Sequence, residues 1–121
     1  MRLNDHVQYL KKVEATLRGE EDFHGTTHHA CKLGQWLYGD GPDDVATLQE
    51  NQRASEIFAS LYKIHEHFHI VSNQVLEKNK IGDKYGTQVA MTEMYKLSSI
   101  IAQKLLDLDT LSLRKDYFTM I

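Results

Sequence analysis

The stretch IFASLYKIHEHFHIVSNQV, residues 57–75, decides the fold that this sequence predicts. Its apolar residues recur at alternating spacings of four and three, which is the period of one face of an α-helix. The members of that face are Ile57, Leu61, Ile64, Phe68, Val71 and Val75. Nowhere does the sequence show the strict alternation that is typical of a half-buried strand. The sequence therefore predicts an all-α protein.

Two further segments repeat the helical period, from about residue 4 to 18 and from 84 to 108. Asn4 is a plausible N-cap for the first helix. The apolar face of the first helix consists of Leu3, Val7, Leu10, Val13 and Leu17. The apolar face of the helix at residues 84–108 consists of Ala90, Met94, Leu97, Ile101, Leu105 and Leu108. Both helices thus present one stripe that needs to be buried against a partner.

The segments between these helices are shorter. CKLGQWLYGDGP, residues 31–42, predicts a short helix that is ended by glycine. Pro42 predicts the first turn of a helical region that reaches about residue 79, with a break or kink near residues 49–53. Short connections favour an antiparallel four-helix bundle, with an additional short helix carrying the cysteine segment. We assign residues 1–110 to this bundle and residues 111–121 to a C-terminal tail or the start of a linker.

Composition excludes several classes of partner. The chain has 121 residues, enough for one domain, and a formal net charge of -3, which gives no electrostatic reason to expect nucleic acid or an anionic membrane. No apolar run approaches the roughly 20 residues that cross a bilayer. The N-terminal segment turns charged too early for a secretory signal. The single cysteine, Cys31, excludes an intramolecular disulfide and favours the cytoplasm.

The stretch HEHFH, residues 65–69, allows two interpretations. It matches the HExxH motif of zinc metalloproteases, in which the glutamate works on water, and it is also a pair of metal ligands one helical turn apart. On a helical wheel, His65 and His69 share a second inward stripe, whereas His67 falls on the solvated side. His6 leans inward on the first helix in the same way. An inward histidine can also be a packed residue with a hydrogen-bonded ring.

Cys31 adds a thiol to the three inward histidines. A lone cysteine is often only a small buried apolar residue. Together with His6, His65 and His69, however, it makes a tetrahedral set that suits Zn²⁺. No inward cluster of carboxylates accompanies the set, which argues against Ca²⁺ or Mg²⁺. Surface positions are expected for the remaining histidines, His24, His28 and His29, with His28 or His29 as the alternative ligand if His6 is not one.

Three motifs of this chain resemble the chemoreceptor zinc-binding (CZB) domain of bacterial signalling proteins. CKLGQWLYGDG, residues 31–41, is similar to the family signature Cys-x-Leu/Phe-Gly-x-Trp, through Cys31, Leu33, Gly34 and Trp36. HVQYL, residues 6–10, is similar to the family's histidine followed three residues later by an aromatic residue. HEHFH matches its His-x-x-x-His pair. The motifs occur in the family's order, and the similarity covers about residues 3–110.

The resemblance implies a helical bundle that binds one zinc ion through His6, Cys31, His65 and His69. It implies a regulatory role and no enzymatic activity, since CZB domains are joined to chemoreceptor signalling modules or to diguanylate cyclases. Zinc level, or oxidation of the zinc-bound cysteine by hypochlorous acid, would then change chemotaxis or cyclic-di-GMP output. It also implies a homodimer. No output domain is attached to this sequence, so it is expected to be a stand-alone domain or an excised piece that signals to a partner in trans.

Three alternatives stay open at the level of sequence. A small zinc metalloprotease would use His65, Glu66 and His69, but Ser72 and Val75 stand where the metzincin motif needs glycine and histidine. A hemerythrin-like di-iron protein would need histidines in the final helix, which has none. The third alternative is a bundle whose histidines only pack.

Overall fold

The computed structural model describes residues 2–48 and 51–120, and the side chains of residues 2–48 and 52–111. These residues form five helices and no strand, which confirms the predicted all-α bundle. The helices are α1 (Arg2–Leu17), α2 (Lys32–Tyr38), α3 (Gly41–Ala46), α4 (Asn51–Lys80) and α5 (Lys84–Met120). The sequence predicted four bundle helices beside the cysteine helix. The one predicted to begin at Pro42 is only the six-residue helix α3.

The helices α4 and α5 form a long antiparallel hairpin that contains most of the core. Gly82, with φ of 80°, ends α4, and the Asp83 amide donates to the Lys78 carbonyl at 3.0 Å. The Asp83 side chain then caps α5 by accepting from the Gly86 amide at 2.9 Å. All six apolar residues predicted for α5 are buried, as are Leu61, Phe68, Val71 and Val75 of α4. The other two members of the predicted α4 seam, Ile57 and Ile64, are half-buried. The predicted seams therefore lie in the core of the hairpin.

The helix α1 packs against α2, α4 and α5. Its buried residues are His6, Tyr9 and Val13, so Val13 alone of the predicted aliphatic face is fully covered. The prediction of Asn4 as N-cap is wrong, because α1 begins at Arg2 and Asn4 lies inside its first turn. There the Asn4 amide oxygen accepts from Gln8 at 3.4 Å, a contact between residues one helical turn apart.

Two short helices cover the N-terminal half of α4. The Trp36 ring of α2 contacts Phe58 with a centroid separation of 5.4 Å, and its Nε1 donates to Asp44 at 2.8 Å. The Tyr62 hydroxyl of α4 donates to the Leu37 carbonyl at 2.6 Å. These contacts hold α2, and the cysteine at its start, against α4. The predicted break falls between Ala46, where α3 ends, and Asn51, where α4 begins; residues 49 and 50 lie outside the described part of the chain.

The helix α5 continues without interruption through Met120. The assignment of residues 111–121 to a tail or linker stays a prediction. Within the described ranges, none of the helices combines the length and apolar character that crossing a membrane requires.

Candidate metal centre

The histidine pair of α4 points into the bundle. His65 is 1% exposed and His69 is 2% exposed, whereas His67 is exposed, as the helical wheel predicted. The rings of His65 and His69 contact each other with a centroid separation of 4.7 Å. Tyr9 of α1 packs against the His69 ring at 4.5 Å. The i, i+4 spacing therefore places two imidazoles side by side in an interior position.

Cys31 reaches the same point from the start of α2. It is the N-cap of this helix, and its sulfur accepts from the Gly34 amide at 3.3 Å. A Cβ atom at Gly34 would overlap the carbonyl oxygen of His28, so only glycine lets the segment before Cys31 pass this closely. The Cys-x-x-Gly spacing thus has a steric cause: it turns the thiol toward α4.

The three side chains form a group with metal-ligand geometry. The Cys31 sulfur lies 3.3 Å from His65 Nε2, and the ligand atoms of Cys31, His65 and His69 all lie within 4.8 Å of one another. Ligand atoms of a tetrahedral zinc centre are about 3.3–3.6 Å apart when Zn–N is about 2.0 Å and Zn–S about 2.3 Å. The group therefore needs only small side-chain adjustments to hold such an ion.

The connection between α1 and α2 supports the group from outside. The Thr26 carbonyl accepts from His69 Nδ1 at 3.1 Å and from Asn73 Nδ2 at 3.3 Å. The Thr26 amide in turn donates to the Tyr9 hydroxyl at 3.2 Å. Because Nδ1 of His69 carries the donated proton, its Nε2 keeps a free lone pair, which is the usual arrangement of a metal-bound histidine.

His65 has an unmet hydrogen-bonding need. Within the described residues, its Nδ1 is buried and has no hydrogen-bond partner. Burying a polar atom in this way costs about 1–3 kcal/mol. The Cys31 sulfur lies beside the other ring nitrogen, Nε2, so a metal ion held with Cys31 would bind Nε2 and leave Nδ1 without a partner.

Burial keeps the group neutral when no metal is bound. Desolvation, reinforced by the neighbouring histidines, lowers the pKa of His65 to about 3. Desolvation also lowers the pKa of His69 to about 4, against the opposing effect of its bond to Thr26. Burial raises the pKa of the Cys31 thiol, although the Gly34 amide acts in the opposite direction. Without metal, Cys31 is therefore a thiol beside neutral imidazoles, and both imidazoles keep the lone pairs that a metal needs.

His6 is near this group but not part of it. The side chain is 3% exposed, and its ring contacts Phe68 with a centroid separation of 4.7 Å. Its Nε2 is hydrogen-bonded to the Ser98 hydroxyl of α5 at 2.9 Å. Desolvation, together with the proximity of His69, lowers the pKa of His6 to about 4. The inward position of His6 is confirmed, and its role as a ligand, like that of the other three residues, stays a prediction.

The remaining histidines lie at or near the surface. His24 is exposed and 3.5 Å from Asp22, and His29 is exposed with its ring 4.0 Å from Tyr38. His28 is half-buried, and its ring centroid lies 6.5 Å from that of His65. Among these three, His28 is thus the one that lies beside the group.

The donor set determines which metal fits. One sulfur and neutral imidazole nitrogens are ligands that suit Zn²⁺, and they match the prediction of zinc as the cofactor. When bound, zinc would supply a positive charge that keeps Cys31 as the thiolate. His65, His69 and Cys31 would hold it, and Thr26 would orient His69.

Sequence reasoning missed three residues that surround the group. Ser98 interrupts the apolar stripe of α5 at a buried position, a signal that was available in the sequence. Thr26 contributes through its backbone, and Asn73 lies beside the inward stripe of α4, so no residue-type pattern identified either of them.

Comparison with known proteins agrees with this geometry. A family model for the CZB domain, described as the chemoreceptor zinc-binding domain, matches residues 6–76. The curated proteins and the solved structures contain no match to the chain. The matched segment begins at His6 and includes Cys31, His65 and His69. By its motifs, its helical bundle and this match, the chain belongs to the chemoreceptor zinc-binding domain family.

Proposed function

We propose that this domain is a sensory or regulatory domain that binds one zinc ion through Cys31, His65, His69 and His6. The observation that supports this most is the group of one half-buried thiol and two buried imidazoles, whose ligand atoms lie within 4.8 Å of one another. Membership of a family described as zinc-binding agrees with it.

The signal is zinc level or oxidation of the cysteine. Hypochlorous acid converts a thiolate to sulfenic acid and is itself reduced to chloride, so the oxygen atom is transferred to sulfur. A sulfenic acid is a weaker ligand than a thiolate, and its formation would loosen the centre. The output is chemotaxis or cyclic-di-GMP signalling, through an output domain or a partner in trans. A reducing cytoplasm, which we propose as the location, keeps the thiol available.

A homodimer is part of the proposal. Two adjoining grooves follow the α4–α5 hairpin and share His67. Large apolar side chains line them: Ile70, Val89 and Ile100 are 51%, 54% and 44% exposed. Burying these residues against a second copy would remove them from water. Ile70→Glu should then convert the dimer to a monomer in sedimentation experiments, whereas Ile81→Glu, the same change at a residue that is 71% exposed and lines neither groove, should not.

The competing functions have less support. A metalloprotease needs Glu66 at the metal, but Glu66 is exposed. Desolvation, and to a smaller extent the charge of Glu66, raises the pKa of Tyr38, so Glu66 lies toward Tyr38. A bundle whose histidines only pack gives no reason for the Cys31, His65 and His69 ligand atoms to lie within 4.8 Å of one another.

Metal content separates these possibilities. Protein purified without a histidine tag should contain about one zinc per chain, and Cys31→Ala should lose most of the affinity. His67→Ala is the matched control, because His67 lies between the two proposed ligands on α4 and is exposed. Full affinity in Cys31→Ala would refute the proposal. A peptidase activity that Glu66→Gln abolishes would establish the enzyme instead.

A further inference from the structure

The hydrogen bond between His6 and Ser98 connects α1 to α5 beside the metal group. Ser98 is 8% exposed, and the bond joins two residues that are buried on different helices. Met94, Leu97 and Ile101 of α5 are buried apolar residues on the same side of the helix. A hydroxyl at this position therefore has a specific partner in an otherwise apolar interface.

The position of His6 is the second observation. Cys31, His65 and His69 already lie within ligand distance of one another, whereas His6 is outside the group whichever of its ring nitrogens is considered. A Ser98 hydrogen bond that oriented His6 as a ligand would already place one of its ring nitrogens within ligand distance of Cys31, His65 and His69. Its Nε2 is instead bonded to the hydroxyl on α5.

We infer that Ser98 and the metal compete for His6, so that His6 leaves α5 when it completes the coordination sphere. This inference rests on the proposed function. Both partners tolerate the exchange: a neutral imidazole is a good ligand, and a helical serine can turn its hydroxyl to the carbonyl four residues earlier, here that of Met94. Occupancy of the fourth position is thereby linked to a contact between α1 and α5.

A second α1–α5 contact provides the control. The Tyr95 hydroxyl, one turn before Ser98, donates to Glu14 of α1 at 2.8 Å. It joins the same two helices, but neither residue lies at the metal group. Tyr95→Phe therefore removes an α1–α5 hydrogen bond without freeing a ligand.

Zinc affinity, measured by competition with a chromophoric chelator, tests the inference. Ser98→Ala should bind zinc about two- to tenfold more tightly than the wild type, the equivalent of one net hydrogen bond. Tyr95→Phe should leave the affinity unchanged. In a His6→Ala background, Ser98→Ala should have no effect, because the contested ligand is absent.

A second measurement uses unfolding by urea. Ser98→Ala should lower the midpoint of the metal-free protein and leave that of the zinc-loaded protein unchanged. Affinity that is weakened or unchanged by Ser98→Ala, or a gain that persists without His6, would overturn the inference. If one of these contrary results is found while the wild-type protein binds zinc through Cys31, the proposed function stands and only the competition for His6 fails. If the wild-type protein binds no zinc, the proposed function itself fails.

Discussion

Acidification should unfold the metal-free protein well before its carboxylates are protonated. The perturbation is a fall in pH from 7.5 to 4.5 in the presence of a chelator. Desolvation lowers the pKa of His6 and His69 to about 4 and that of His65 to about 3. The unfolded chain titrates its histidines near 6.5, so it binds protons at a pH at which the folded chain does not.

The direction and size of the effect follow from proton linkage. Above pH 6.5 both states are neutral at these residues, and the full stability is present. Below it, each histidine removes up to about 1.4 kcal/mol of unfolding free energy per pH unit until the folded pKa is reached. Together the three would cost about 6 kcal/mol at pH 5, within the 5–15 kcal/mol that a whole domain has.

Urea unfolding followed by circular dichroism at several pH values measures this dependence. His69→Gln should reduce the slope of free energy against pH by about one third, since three similar groups contribute. His67→Ala should leave it unchanged because this histidine is exposed. A stability that is flat between pH 7 and 5, or an unchanged slope in His69→Gln, would contradict the neutral buried histidines.

Three further changes test other parts of the structure. Gly34→Ala should cost about 1–3 kcal/mol in urea unfolding and weaken zinc binding, because the new Cβ displaces the backbone at His28; exposed Lys32→Ala should do neither. Phe68→Ala should cost about 3–5 kcal/mol, because the side chain is fully buried, and a smaller loss would argue against its place in the core. Metal-free Cys31 should react with iodoacetamide more slowly at pH 7 than an unstructured cysteine peptide, because burial raises its pKa; an equal rate would contradict this.

Long apolar stripes were predictable from the sequence. The seams of α4 and α5 repeat over many turns, so a few ambiguous residues do not change which face is buried. The short α1 is different. Its buried residues are His6, Tyr9 and Val13. His6 packs against Phe68, Tyr9 packs against His69, and the Tyr9 hydroxyl accepts from the Thr26 amide. Hydrophobicity alone predicted that the neighbouring aliphatic residues of α1 would be the buried ones.

The site was predictable only as far as residue type and spacing could indicate it. The i, i+4 histidines follow from helical geometry, and Cys31 and Gly34 from a motif whose steric reason the structure now supplies. The hydrogen-bond partners of the predicted ligands come from segments that are distant in sequence: the Thr26 carbonyl is 43 residues from His69, and Ser98 is 92 residues from His6. Hydrogen bonds of this kind depend on how the helices dock, which periodicity does not specify.

We expect the docking of α1 against α4 and α5 to depend on the metal group. Two of the buried side chains of α1 pack at or beside the group: Tyr9 lies against His69, and His6 lies against the neighbouring Phe68. Three imidazoles are buried at or beside that interface, and removing them from water is costly. A ligand that binds only the folded form repays this cost by mass action, about 2.7 kcal/mol at a hundredfold excess over its dissociation constant. If zinc binds as proposed, its occupancy should therefore stabilise the docking of α1, and the α1–α5 contacts are where we expect a change of state to become visible.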